Sequence, residues 1–308
     1  MSDLTATPPK TEVLEGEKPI IISISGDLGS GKSVLASALV ETWGAERYST
    51  GMVQRRIADQ LGITTLELNK RAETDKSIDD QIDSVFRNLA KTPKNLIVDS
   101  RMAFHFLPMS FRIKLEVDPQ IAVARIKGDT SRVGEGPYNS IEEVRAAIAA
   151  RKASERARFK TYYNVDIADH AGYDLVINTT DCPVADVAEL ANASVRLWRA
   201  GRPVPKLWIS PKHLFAAVPP DAVDETLVDQ YMRAWPAPDA WPQGAIIASP
   251  AGDAYVVTQG AEWVAAALEG RKALVPVTLA EKPVVLPPFS TTEKWEKAHN
   301  FSHLYQAY

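Results

Sequence analysis

The sequence holds a single cysteine, Cys182. That excludes an intrachain disulfide and any zinc site built on several cysteines. No apolar run reaches the ~18 residues that a membrane span needs, and there is no low-complexity tract. Basic residues are in no excess: 35 Lys and Arg stand against 39 Asp and Glu, for a net charge of −4. Affinity resting on a blanket of cations over phosphates is disfavoured by that balance, although a local basic groove is compatible with it. Residues 1–18 carry Pro8, Pro9 and several acids. They lack the basic start and apolar core of a secretion signal, so they read as a flexible leader on a cytoplasmic protein.

What is present is globular in kind, 45% hydrophobic and 24% charged over 308 residues, long enough for two domains at ~150 residues each. From residue 19 to about 180, apolar strand runs alternate with helical patterns, which predicts an α/β fold with a parallel sheet flanked by helices. Ile20-Ile21-Ile22-Ser23-Ile24 reads as a buried central strand. Leu96-Ile97-Val98, Phe111 to Val117 and Asp174 to Asn178 read as further strands. Helices are expected at 52–61, 64–73, 78–91, 119–127 and 140–160, and another from Asp181 to Ala200. Gly201-Arg202-Pro203-Val204-Pro205 breaks the pattern. It sets a boundary between a domain at 19–200 and a second, smaller α+β domain at 201–308, with strands near 245–249 and 254–258 and a helix at 260–269.

Gly26-Asp27-Leu28-Gly29-Ser30-Gly31-Lys32-Ser33 matches the phosphate-binding loop pattern G-x-x-x-x-G-K-[ST]. It follows a β-branched strand and opens an amphipathic helix, the context the motif requires. Gly26, Gly29, Ser30 and Gly31 let backbone N–H groups converge on phosphates at a helix N-terminus. Lys32 supplies charge to the β- and γ-phosphates, and the Ser33 hydroxyl can ligate Mg²⁺. The expected cofactors are therefore ATP and Mg²⁺, on a P-loop NTPase fold acting as a kinase.

Beyond the loop come Ser49-Thr50-Gly51 with Gln54-Arg55-Arg56, then Val98-Asp99-Ser100-Arg101. A helix follows with Arg151, Glu155, Arg156, Arg158 and Tyr162, leading into Tyr163-Asn164-Val165-Asp166-Ile167 and Tyr173-Asp174-Leu175-Val176-Ile177-Asn178-Thr179. In order and phrasing this resembles the nucleoside monophosphate kinases, above all the short archaeal-type cytidylate kinases. The resemblance implies an acceptor-binding helical region opened by the Ser49 segment and an Arg101 that holds the acceptor phosphate. Arg101 follows a strand end, where open α/β sheets bind ligands, and a guanidinium can grip a phosphate bidentately. Arg151, Arg156 and Arg132 are candidates to neutralise the transferring phosphoryl group as a lid closes. The alternative for 140–160 is a solvated helix laced with i,i+4 pairs such as Arg151–Glu155.

Two carboxylates stand out, Asp27 and Asp99, expected to converge near the γ-phosphate, and two positions depart from that family's pattern. Asp27 stands where a small or apolar residue is expected, and Ser100 replaces the glycine before Arg101. Transfer to a neutral hydroxyl benefits from a carboxylate base, whereas transfer to a phosphate does not. Asp99 therefore has two readings, a base or a contact to Mg²⁺, and Asp27 has two, a base or a shaper of the loop.

The second domain holds most of the tryptophans and prolines. Leu207-Trp208-Ile209-Ser210-Pro211, the run from Gly252 to Gly260 and the helix from Ala261 to Leu268 faintly resemble the ParB and sulfiredoxin-like fold, without that family's charged residues after the glycine. It reads as a binding or positioning module whose tryptophans stack on bases or fill a small core. His299 and His303 are spaced i,i+4 with no third ligand, so they read as surface residues.

Three functions are open to such a chain. The expectation set first resembles bacteriophage kinases that phosphorylate the hydroxymethyl group of 5-hydroxymethyluracil within DNA. There Lys32 and Ser33 handle ATP, Asp27 or Asp99 takes the hydroxyl proton, Arg101 positions a pyrimidine nucleotide, and the base is flipped from the stack. The second is a cytidylate-type kinase acting on free CMP, dCMP or a related pyrimidine nucleotide. The third is a non-catalytic nucleotide-dependent switch.

Overall fold

The computed structural model describes residues 18–72, 74–127, 140–216, 222–251 and 254–280. The leader up to residue 17, Arg132, Gly252, Asp253, His299 and His303 lie outside the described residues. Contacts gather the chain into two compact units that divide between Tyr173 and Asp174.

The first unit runs β1 (Ile21–Gly26), α1 (Lys32–Trp43), β2 (Glu46–Ser49), α2 (Thr50–Leu61), α3 (Thr65–Ala72), α4 (Lys76–Leu89), β3 (Leu96–Asp99), α5 (Ala103–Phe106), β4 (Phe111–Glu116), α6 (Pro119–Lys127) and α7 (Ile141–Tyr163). Its strands lie in the order β2-β3-β1-β4, and each neighbouring pair is parallel. The predicted α/β sheet with flanking helices is therefore present, with β1 at its centre and buried along its whole length. The chain leaves β1 toward β2 on one side and returns to β4 on the other. That reversal opens a crevice at the strands' C-terminal ends, where such sheets bind ligands.

Two buried serines punctuate β1, and each is satisfied. Tyr173 Oη donates to Ser25 Oγ at 3.1 Å, and Ser25 donates to the Arg101 carbonyl at 3.1 Å. Ser23 Oγ lies 2.8 Å from Ser110 Oγ. Because Ser110 gives its one hydroxyl hydrogen to the Leu107 carbonyl at 2.6 Å, Ser23 must be the donor of that pair.

The helices bury the faces their spacing predicts. Ile78, Ile82, Phe86 and Leu89 of α4 pack with Val53 and Ile57 of α2 and with Leu96 and Val98 of β3. Strand β2 was not foreseen. Its residues Glu46, Arg47, Tyr48 and Ser49 are polar or amphipathic and half-exposed at a sheet edge, so hydrophobicity does not mark them.

The second unit contains β5 (Leu175–Asn178), α8 (Val184–Arg199), β6 (Leu207–Ile209), a 3₁₀ turn at Pro211–His213, β7 (Leu214–Ala216), α9 (Glu225–Arg233), β8 (Ile247–Ala251), β9 (Ala254–Gln259), α10 (Ala261–Glu269) and β10 (Val275–Leu279). Its strands follow the order β5-β6-β10-β8-β9-β7. The pairings are mixed: β6–β10 and β8–β9 are antiparallel, and β5–β6, β8–β10 and β7–β9 are parallel. The sequence reading put the break at Gly201–Pro205. The two compact units divide earlier, before β5, which pairs in parallel with β6 through Val176 with Leu207 and Ile177 with Trp208. The aromatic side chains pack on one another. Tyr231 stacks on Trp263 at 3.7 Å, and Trp235 and Trp241 meet edge to face at 5.1 Å.

The serine pair makes an asymmetric prediction. Ser23→Ala leaves Ser110 still bonded to Leu107 and should cost less than about 1 kcal/mol. Ser110→Ala strands the Ser23 hydroxyl and should cost roughly 1–3 kcal/mol. Urea unfolding of the two variants gives the order, and equal losses would refute the assigned direction.

Candidate active site

The loop between β1 and α1 is built around close approaches. A Cβ on Gly26 would lie 2.3 Å from the Leu115 carbonyl, and one on Gly29 would lie 2.9 Å from the Ala122 backbone. Larger residues at either position would push the loop off β4 and α6. Gly31, at φ 88°, caps α1 with no side-chain hydrogen bond, so the helix's first N–H groups are offered to a ligand. Lys32 Nζ lies across the loop, donating to the Gly26 and Asp27 carbonyls at 2.7 Å each. Ser33 Oγ donates to Asp99 Oδ2 at 3.4 Å. An uncapped helix start with a lysine at its mouth fits a nucleotide triphosphate. A hydroxyl beside a carboxylate is the oxygen donor set that Mg²⁺ prefers. Ser33 and Asp99 are the residues here that fit it.

One cavity of about 300 Å³ extends from Lys32 and Ser33 past Asp99 to Arg101, Arg151, Asp79 and Asp83. The sheet and helices explain how these meet. Asp99 ends β3, and Arg101 follows it by two residues. Arg151 and Glu155 are one turn apart on α7, and Asp79 and Asp83 one turn apart on α4. Ser49 caps α2 by accepting from the Met52 N–H at 3.2 Å, which brings Gln54 and Arg55 to the same wall.

The charges in this cavity are tied together. Arg101 is ion-paired with Glu155 Oε2, and Arg151 Nε donates to Glu155 Oε1 at 3.1 Å. Arg158 Nε lies 3.4 Å from Asp79 Oδ2. Tyr163 Oη donates to Asp83 Oδ2 at 2.6 Å. Burial raises the Asp79 carboxyl above its ordinary range, against the pull of Arg158. Burial likewise lifts Asp83 to about 6, with the Tyr163 hydrogen bond opposing and the Asp79 charge assisting. The Tyr163 phenol is pushed well above its usual value, first by burial and then by its bond to Asp83.

The sequence-predicted residues divide between two places. Lys32, Ser33, Asp99, Arg101 and Arg151 line the large cavity. Asp27 and Arg156 do not; they line a smaller neighbouring cavity of about 90 Å³. There Asp27 Oδ2 lies 2.6 Å from Lys152 Nζ, and Arg156 Nη2 lies 2.6 Å from Asp166 Oδ2. The expected convergence of Asp27 and Asp99 is therefore not formed: they line different cavities, and Asp27 is paired with Lys152.

Three residues were not singled out from the sequence, Arg47, Asp79 and Asp83, and a fourth, Glu155, was given no role at the site. Arg47 Nη2 lies 3.1 Å from Asp99 Oδ2 and comes from the unforeseen β2. Asp79 and Asp83 had a signal that went unused, two acids on the face of α4 that also carries Ile78, Ile82 and Phe86. Glu155 figured only as a helix-surface partner of Arg151.

Comparison with known proteins adds a name to this geometry. The family model described as the cytidylate kinase-like family matches residues 21–181. The cytidylate kinase of Natronomonas pharaonis is 35% identical over 181 residues, 58% of this chain and 91% of that protein. That of Methanothrix thermoacetophila is 36% identical over 177 residues, 58% of this chain and 98% of its own. An S-adenosylmethionine-dependent nucleotide dehydratase of Lacinutrix mariniflava is 33% identical over 172 residues, 55% of this chain and 34% of that protein.

Asp83 provides a pH signature. Its carboxyl titrates at about 6 when folded, against an ordinary 3.8. Above 6 it is ionised in both states and the folded chain carries the full penalty. Below 3.8 it is protonated in both and the penalty is gone. Stability is therefore lost, on this group's account, as pH rises through that window. Asp83→Asn should flatten the decline and raise stability at pH 8, as read from urea unfolding at both ends. An unchanged slope would mean that Asp83 titrates normally.

Proposed function

The chain belongs to the cytidylate kinase-like family, and on that premise we propose that it transfers the γ-phosphate of ATP to a free cytidine or deoxycytidine monophosphate. The observation that carries this reading is one cavity joining Lys32 and Ser33 to paired guanidiniums and then to two buried carboxylates.

The donor end is the loop: its N–H groups and Lys32 hold the β- and γ-phosphates of ATP. Ser33 and Asp99 are the residues to hold Mg²⁺, which when bound supplies positive charge against the phosphates. Arg101 and Arg151 are suited to the acceptor's 5′-phosphate, since guanidiniums match phosphate oxygens in pairs. At the far end Asp79 and Asp83 present acceptor oxygens. Cytosine offers an exocyclic amino group to such oxygens, whereas uracil and its 5-substituted forms offer a carbonyl there. Carboxylates therefore favour cytosine.

The same features weigh against the reading with 5-hydroxymethyluracil in DNA. That chemistry calls for a carboxylate to take a hydroxyl proton, and Asp27 is engaged by Lys152 while Asp99 is engaged by Arg47 and Ser33. An acceptor that is already a phosphate needs positioning and charge neutralisation instead. The relatives support the free-nucleotide reading too. The matched cytidylate kinases are covered over 91% and 98% of their length, so the likeness takes in nearly all of each enzyme.

The test offers ATP labelled at the γ-phosphate to CMP, dCMP, UMP and dTMP, and in parallel to DNA containing 5-hydroxymethyluracil. CMP and dCMP should accept label, with UMP poorer by about tenfold or more, the scale of one misplaced hydrogen bond to a charged group. Arg101→Ala should raise the KM for CMP by about 10–100-fold. Asp79→Asn should narrow the gap between CMP and UMP. Label in the DNA alone would overturn the proposal.

A further inference from the structure

Both guanidiniums assigned to the acceptor phosphate are held by one carboxylate. Glu155 Oε1 accepts from Arg151 Nε at 3.1 Å, and its other oxygen pairs with Arg101. The Glu155 side chain is 14% exposed and that of Arg101 15%, so the contact is shielded from water inside the cavity. Glu155 Oε2 is buried, with the Arg101 guanidinium as its ion-pair partner. The carboxylate is thus an anion already seated between the two guanidiniums.

We propose that Glu155 is the residue that makes this site demand a phosphate monoester: its carboxylate fills the acceptor-phosphate seat, and only a group with two negative charges displaces it. This rests on the reading of Arg101 and Arg151 as the acceptor-phosphate ligands. A carboxylate carries one charge on two oxygens. A nucleoside offers no charge, and a phosphodiester offers one, which only equals what Glu155 already provides. A monoester above its second pKa of about 6 carries nearly two charges on three oxygens, so it wins both guanidiniums and sends Glu155 out beside the partly exposed Arg151. Nucleotides within a polynucleotide are diesters. The same carboxylate therefore admits free monophosphates and turns away residues of a nucleic-acid chain.

The experiment measures binding by calorimetry at pH 8 for CMP and for cytidine 5′-methyl phosphate, its singly charged diester. Wild-type protein should prefer CMP by roughly 100-fold, the scale of two charge-assisted contacts. Glu155→Gln should bind the diester about tenfold more tightly, narrowing that preference, and inorganic phosphate should become a better competitor of CMP. A carboxylate that only braced the fold would give the opposite sign, with weaker binding of both ligands, and that result would overturn the proposal. Glu155→Asp keeps the charge but is too short to span both guanidiniums. It should shift in the same direction by less, and it carries the test if the glutamine variant melts early. Arg101→Gln separates the two ideas. If it binds CMP as wild type does, the acceptor reading fails and this proposal with it. If it loses CMP while Glu155→Gln keeps the wild-type preference, only the role of Glu155 is refuted.

Discussion

Ile24 of β1 lies beside Asp99 of β3 in a parallel register, and what the phosphate-binding loop can touch follows from that pairing. The loop leaves β1 two residues later, and β3 ends at the same level. Ser33, on the first turn of α1, therefore meets Asp99, while Arg101 reaches back so that its Nε lies 3.5 Å from the Gly26 carbonyl. A slip of one residue would turn Asp99 to the other face of the sheet and part the hydroxyl from the carboxylate. The buried aliphatic side chains of β1 and β3 hold that register, so the apolar core sets the geometry of the charged site.

The cavity's walls carry charge that a stable core would avoid. Asp79, Asp83 and Asp99 are all under 9% exposed, and burying a carboxylate costs more than its ion pairs return unless every partner is well placed. Here the partners are imperfect: Asp79 Oδ2, Arg158 Nε and Arg47 Nε are buried without a hydrogen bond. Burial lifts the Asp79 and Asp83 carboxyls above their usual range. Groups of both signs around one open volume are what the proposed function asks for, a substrate that brings phosphate oxygens and amino hydrogens with it.

How much of this the sequence carried differs by element. The loop and its flanking strand and helix were legible because their residue types leave little else to build: β-branched residues in a buried strand, glycines at a crowded turn, lysine and serine at a helix start. Arg101 was legible from its place after a strand. Strand β2 was not, since an edge strand of Glu46, Arg47, Tyr48 and Ser49 has no apolar face to show, and Arg47 was lost with it. Asp79 and Asp83 were readable in principle as acids on an apolar helix face. Their pairing with Arg158 and Tyr163 was not, because it joins α4 to α7 across a long sequence separation. The units divide earlier than Gly201–Pro205, before β5, because compactness depends on contacts that loop composition does not encode.

The carboxylates of the site also bear on the kind of transfer it supports. Asp99 is taken by Ser33 and Arg47, Asp27 by Lys152, Glu155 by Arg101 and Arg151, Asp79 by Arg158 and Asp83 by Tyr163. All five face guanidinium or ammonium groups, Asp83 through Arg87 at 3.6 Å, so each already serves as a partner to a cation. Asp83 accepts a hydrogen bond from Tyr163 as well, so that oxygen is not open to a proton from a substrate hydroxyl. A transfer that begins by deprotonating an alcohol would need one of these pairs undone before the first bond formed. An acceptor that arrives ionised asks only that the cations change partners, from a carboxylate of this chain to a phosphate of the substrate. The arginines already stand in the arrangement for that exchange, and phosphoryl transfer between anions, which needs charge neutralised more than protons moved, is the chemistry that uses them.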